Sequence, residues 1–141
     1  MSKVYDYGII GAGPAGFTTA LLASEKGKSV VLFEKDKIGG VCLNKGCIPT
    51  KTIMHSAEFY KEVKNAENIG VLANDVQIDF AKVMERKNKV VETLRNALTK
   101  SLQAKGVDII EHEAKIIEDN KIEANSETYE CNKIIVATGS E

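Results

Sequence analysis

Val4-Tyr5-Asp6-Tyr7-Gly8-Ile9-Ile10-Gly11-Ala12-Gly13-Pro14-Ala15-Gly16 is the stretch that decides the fold. Its first half is an apolar run that reads as a strand, and the run ends at Gly11. Pro14 then opens a helix, because the N–H it lacks has no partner in a first helical turn. Residues Phe17 to Lys26 continue that helix, and Gly27 is a natural stop. Ser29-Val30-Val31-Leu32-Phe33 follows as a second strand, apolar on both faces and closed by Glu34. Strands of that kind sit inside parallel sheets with helices on both sides. Strand, glycine turn, helix and strand together make a βαβ unit.

Gly11-x-Gly13-x-x-Gly16 gains its meaning from this setting, with a strand before it, a helix after it and Glu34 18 residues past Gly16. Gly11 permits the tight turn, Gly13 lets a pyrophosphate approach the backbone, and Gly16 lets helix and strand pack closely. The exposed N–H groups and positive dipole end of the helix that begins there would then hold the phosphates. The carboxylate of Glu34 suits a ribose diol. A dinucleotide is therefore expected, and the glycines alone do not separate FAD from NAD.

Farther out, residues 36–46 hold three glycines and read as a loop. A helix is predicted from about Cys47 to Asn68, and a connection from Gly70 to Ile78. Asp79 then caps a helix running to Gly106. On it Phe80, Val83, Met84, Val90, Val91, Leu94, Leu98 and Leu102 recur at helical spacing and predict a core-facing stripe. Val107–Ile110 reads as a strand, followed by short segments at Ala114–Glu118 and Lys121–Ala124 around an Asp119-Asn120 turn. The last predicted strand is Lys133 to Gly139.

Length and composition fit this picture. The 141 residues suit one domain, and 43% hydrophobic with 28% charged residues is ordinary for a globular chain. Nineteen basic against twenty acidic side chains give a net charge of -1, which disfavours nucleic-acid partners. No apolar run approaches the roughly 20 residues of a membrane span. Met1-Ser2-Lys3 leads at once into the first strand, unlike an export signal, so no membrane is expected and the location is expected to be cytoplasmic.

Three cysteines are an odd number for a secreted disulfide framework. Cys42 and Cys47 lie close together, which points to redox or metal chemistry. Five residues of ideal helix rise about 7.5 Å, beyond the roughly 7 Å limit for bridged Cα atoms. If the two sulfurs bond, the segment must bend; Gly46 gives freedom for the bend, and Pro49 is expected to keep a regular helix from running back through the site. Lys51 stands one helical turn after Cys47, so its ammonium and a helix N-terminus would favour a thiolate there. That asymmetry suggests Cys47 facing a cofactor and Cys42 meeting substrate. A zinc site is the competing reading, with His55, His112 and Cys131 too scattered to complete it, so no metal is expected. Two reduced, unpaired thiols remain an alternative. Cys131 reads as a small buried hydrophobe and His55 as a packed or solvent-facing side chain. A dithiol near the fingerprint favours FAD, because a flavin takes an electron pair from thiols more readily than nicotinamide does.

The stretch Gly39-Gly40-Val41-Cys42-Leu43-Asn44-Lys45-Gly46-Cys47-Ile48-Pro49-Thr50-Lys51 resembles the redox-disulfide signature of the pyridine nucleotide-disulfide oxidoreductases. Leu43, Ile48 and Thr50 make it more similar to the dihydrolipoamide dehydrogenase branch than to the glutathione or mercuric reductases. Ala137-Thr138-Gly139-Ser140 is similar to the family's motif at the close of the first FAD segment. The resemblance implies an α/β, Rossmann-like FAD-binding domain with a parallel sheet, helices and a small β-meander. It also implies that Cys42 and Cys47 form the catalytic disulfide, Cys42 as interchange thiol and Cys47 beside FAD.

By the same resemblance, Gly11, Gly13, Pro14, Ala15, Gly16, Glu34, Lys35, Gly40, Val41, Cys42, Lys51, Ala114, Thr138, Gly139 and Ser140 are the FAD-contacting positions. Position 41 is Val where the family often has Thr, and the stretch around His112 lacks a glycine often found near the adenine. Family members are longer, with a second glycine fingerprint for NAD and an interface domain that carries the general base. Residues 1–141 are thus expected to be the N-terminal segment of the FAD domain, incomplete relative to the family and inactive alone. The implied parent oxidises dihydrolipoamide, passes electrons through FAD to NAD, works as a homodimer and meets a lipoyl-bearing protein. The alternatives are a stand-alone FAD-binding or thiol-redox module, or a fragment of a related glutathione- or mercuric-type reductase.

Overall fold

A computed structural model describes residues 3–140. Strand β1 (Val4–Ile10), helix α1 (Pro14–Glu25) and β2 (Val30–Phe33) form the opening unit. They are followed by α2 (Gly40–Asn44), α3 (Cys47–Lys64), a 3-10 turn (Ala66–Ile69) and the long α4 (Phe80–Ala104). Strands β3 (Asp108–Ile110), β4 (Ala114–Glu118), β5 (Lys121–Ala124) and β6 (Glu127–Val136) close the chain. One six-stranded sheet results, in the order β3-β2-β1-β6-β5-β4.

The first four strands of that order are parallel and the last two antiparallel. All four residues of β2 are buried, which is why that strand reads as unbroken hydrophobe. Ile9, Val30 and Leu32 pack on one side of the sheet with Ala20 of α1 and Leu102 of α4. Tyr5, Val31, Phe33, Ile122 and Cys131 fill the other side. Cys131 is fully buried inside β6, as a small hydrophobe.

Strand β6 departs most from the sequence expectation, starting at Glu127 and not at Lys133. Its second half pairs with β1 (Ile9↔Ile135, Ile10↔Val136), and its first half pairs antiparallel with β5 (Ile122↔Tyr129). The polar run Glu127-Thr128-Tyr129-Glu130 lacks the alternation of a half-buried strand. Asn125 and Ser126, both at positive φ, make the hairpin turn that starts it.

Four further expectations need correction. The loop at 36–46 contains α2, and the helix predicted to Asn68 ends at Lys64 before the 3-10 turn. Pro49 does not stop a helix. It lies in the first turn of α3, where a missing N–H is harmless. On α4, Val83, Val91 and Leu102 are buried, but Phe80 and Leu94 are 61% and 41% exposed, so the stripe faces the core only in part. The Asp79 cap holds, with its carboxylate accepting from Lys82 N at 3.1 Å. Among the described residues, no helix is long and apolar enough to cross a membrane.

Candidate functional site

A cleft of about 540 Å³ opens at the carboxyl ends of β1, β2 and β6. The chain leaves β1 toward β2 on one side and returns as β6 on the other. Crevices at such switch points are where open α/β sheets hold ligands. Gly11 and Gly13 line it after β1, Glu34 and Lys35 after β2, Ala114 after β3, and Thr138, Gly139 and Ser140 after β6. Pro14, Ala15, Gly40, Val41 and Cys42 also line its wall, as expected. Gly16, Cys47 and Lys51 do not line it.

The three fingerprint glycines have separate tasks. Gly11 has φ +100, and a Cβ on it would stand 2.3 Å from the Ala137 carbonyl oxygen of the neighbouring strand end. A Cβ on Gly16 would lie 1.8 Å from the Gly11 carbonyl oxygen, so that glycine seats α1 against β1. Gly13 differs: the nearest atom to a Cβ there is 3.9 Å away. The fold has room for a side chain at Gly13, and what one would fill is the cleft itself. Gly13 is also the residue preceding α1, so N–H groups of a first helical turn face that space. Small, bare backbone at a helix start is what a pyrophosphate requires.

Glu34 is fixed by two backbone donors. Its Oε2 accepts from Ala12 N at 2.8 Å and its Oε1 from Asp36 N at 3.0 Å. An ionised carboxylate has about four acceptor positions, so capacity remains for a ribose diol. A dinucleotide therefore fits: an anion cradle at one turn, a diol acceptor at the next strand end, and an open floor between.

Cys42 and Cys47 are joined by a disulfide across 4.7 Å between Cα atoms. The chain is bent as the spacing demands. Helix α2 ends at Asn44, Lys45 and Gly46 leave helical geometry, and α3 restarts at Cys47. A Cβ on Gly46 would come 3.3 Å from the Val41 carbonyl oxygen, a tight approach inside the turn. Cys42 is half-buried and lines the cleft, whereas Cys47, expected to face the cofactor, is exposed at the first position of α3 and does not line it. Lys51 is exposed one turn farther along that helix, and so is His55.

Sequence reasoning missed the side chains that hold this turn. Asn44 donates to the carbonyls of Ile38 (3.0 Å) and Gly40 (2.9 Å). Arg95 of α4 donates to Asn44 Oδ1 at 3.1 Å. Lys45 Nζ lies 3.1 Å from Asp36 Oδ2, and that hydrogen bond holds the Asp36 carboxyl below its ordinary range. His112 and Glu113 also line the cleft beside Ala114. No local pattern marks Arg95. Among the described residues, no cluster of three or more metal-ligating side chains occurs.

Residues 5–141 match the profile of the pyridine nucleotide-disulphide oxidoreductase family. Dihydrolipoyl dehydrogenase of Acholeplasma laidlawii is 40% identical over 141 residues, which cover 99% of this chain and 42% of that protein. The Staphylococcus aureus dihydrolipoyl dehydrogenase is 39% identical over 136 residues, 94% of this chain and 29% of its own length. Among solved structures, the Cu(II) complex of the HOCl-induced flavoprotein disulfide reductase RclA from Escherichia coli superposes with a TM-score of 0.79. It is 32% identical, over 96% of this chain and 28% of that one. The chain thus spans less than half the length of the relatives it matches.

Proposed function

The chain belongs to the pyridine nucleotide-disulphide oxidoreductase family, and from that premise we propose that it is the FAD-binding, redox-disulfide part of a dihydrolipoyl dehydrogenase. The observation that carries this reading is the Cys42–Cys47 disulfide, whose Cys42 shares one cleft wall with the glycine turn and Glu34. The names of the relatives at about 40% identity support the branch.

In this reading the first helical turn of α1 holds the pyrophosphate, Glu34 the ribose and the strand ends at 114 and 138–140 the remainder of FAD, with Gly40, Val41 and Lys51 toward the flavin end. FAD, when bound, supplies the acceptor for an electron pair. The protein's own thiols do the exchange. One thiolate of dihydrolipoamide attacks Cys42 Sγ, the Cys42–Cys47 bond breaks, and Cys47 leaves as a thiolate. The second substrate thiol then displaces Cys42, giving lipoamide and a Cys42/Cys47 dithiol, so that two electrons and two protons have changed hands. Cys47 is suited to the leaving role, because the N-terminus of α3 favours its anionic form.

In the same reading, hydride transfer to NAD, homodimer formation and the lipoyl-bearing partner are proposed for the whole enzyme of which this part carries the disulfide. Turnover by residues 1–141 alone is not expected. The cytoplasm, where thiols stay reduced, is the compartment this reading assigns. The test is a thiol count. Excess dihydrolipoamide should raise free thiols from one (Cys131) to three per chain, with one lipoamide formed per bridge opened. A bridge that stays closed under excess dihydrolipoamide would overturn the assignment.

A further inference from the structure

We propose that Arg95 is a positioning residue for the disulfide, acting through Asn44 to keep the two sulfurs within bonding reach when the bond is open. The inference rests on the redox reading of Cys42 and Cys47 given above. Asn44 lies between them in sequence and is the last residue of α2. Its amide nitrogen donates to Ile38 O and Gly40 O, with Lys37 O at 3.4 Å as a third acceptor. Its oxygen accepts from the guanidinium of Arg95, 51 residues away on α4.

This arrangement leaves the amide one orientation. Turned over, it would set its NH2 against the guanidinium, donor facing donor, and its oxygen against two or three carbonyl oxygens. An arginine has donors and no acceptor, so it enforces that choice. A charged donor also makes a stronger bond than a neutral one.

The consequences run in two directions from Asn44. Toward the cysteines, the fixed amide holds the end of α2 just before the chain bends back to Cys47. Toward the glycine turn, the same amide fixes the carbonyls of residues 38 and 40. Between them Gly39 N donates to Ala12 O at 2.8 Å. Gly40 packs so closely that a Cβ there would stand 2.7 Å from Gly13 Cα. One series of contacts therefore ties α4, the disulfide turn and the glycine fingerprint together.

Disulfide closure depends on the effective concentration of one thiol at the other, which a held turn raises and a loose one lowers. Equilibration of the 141-residue chain in dithiothreitol buffers reads that quantity directly. Dithiothreitol closes to its cyclic disulfide as the Cys42–Cys47 bond opens, two electrons and two protons passing between the dithiols. The closure constant, measured by alkylation and mass, should fall about fivefold or more in Arg95→Ala and in Arg95→Gln. Arg95→Lys, which keeps a charged donor, should recover most of the loss. In an Asn44→Ala background, Arg95→Ala should have no further effect, a result that general destabilisation does not give.

Far-UV circular dichroism on each variant shows which are folded, and Arg95→Lys supplies the comparison if Arg95→Ala is not. A closure constant in folded Arg95→Ala or Arg95→Gln within twofold of the parent, or an undiminished Arg95→Ala effect in the Asn44→Ala background, would overturn the proposal. A parent bridge that dithiothreitol never opens would instead overturn the redox reading, and this inference with it.

Discussion

The glycine turn at residues 11–16 and the disulfide turn at residues 39–47 border the same cleft, and both are rich in glycine. Their supports differ. The first is shaped by what is missing: α1 reaches β1 because Gly16 has no side chain to strike the Gly11 carbonyl. The second is shaped by what is added, namely the amide of Asn44, the guanidinium of Arg95, the Asp36–Lys45 pair and the disulfide itself. A turn made by absence is encoded in its own few residues. A turn held by side chains draws on helices and loops far along the chain.

Substitutions can break that contrast, and the largest effect should come from Gly16→Ala. Its new methyl would stand 1.8 Å from a backbone oxygen that cannot move without shifting β1 or α1. A loss of about 3 kcal/mol or more is expected, visible in urea unfolding or as failure to recover folded protein. Gly13→Ala is the sharp control, because its methyl meets nothing closer than 3.9 Å. Its stability should stay within about 0.5 kcal/mol of the parent. Its affinity for FAD should drop about tenfold or more, by titration of flavin fluorescence, since the methyl fills the pyrophosphate's approach.

In the second turn, Asn44→Ala should cost about 1–3 kcal/mol in the same urea assay, because the carbonyls of Ile38 and Gly40 and the Arg95 donor lose their partner. The cysteines separate next. Burial pushes the Cys131 thiol up to about 11, with Glu130 adding to the shift. After reduction at pH 8, an alkylating reagent followed by mass spectrometry should mark Cys42 and Cys47 and leave Cys131 unmarked until the protein is unfolded.

The smallest effect is the acid response of the disulfide turn. The hydrogen bond from Lys45, and then its charge, hold the Asp36 carboxyl below its ordinary value of 3.8. A group depressed in the folded state adds stability above its unfolded pKa and loses it as pH falls through the lower folded value. The Asp36–Lys45 contribution should therefore be whole at neutral pH and fade below about pH 4. Asp36→Asn should remove that part of the acid sensitivity of the thermal midpoint, and added salt should shrink it, since both groups are exposed.

Legibility in the sequence followed the same division. β1, the glycine turn, α1 and β2 were readable because each is specified within a few residues: an apolar run, fixed glycine spacing, Pro14 at a helix start, Gly27 at its end. The bend between the cysteines was readable as a necessity of spacing, and the structure makes it with a break between two helices. Helix α2 was hidden because its residues, Gly40 to Asn44, carry glycine and no amphipathic repeat. The first half of β6 was hidden because Glu127, Thr128 and Glu130 are polar, and only the pairing with β5 makes them a strand. Arg95 was invisible for a different reason: on α4 it is one cation among several, and its meaning comes from a partner 51 residues away.

The proposal that the disulfide turn and the dinucleotide cleft form one electron path rests on the wall they share at Cys42. It is tested most directly by loading the 141-residue chain with FAD and adding dithiol in the absence of oxygen. Flavin bound to the parent chain should bleach, while Cys42→Ser and Cys47→Ser variants carrying the same flavin should stay yellow. Bound flavin that bleaches equally in the serine variants, or that stays yellow in the parent after its bridge has opened, would contradict the claim.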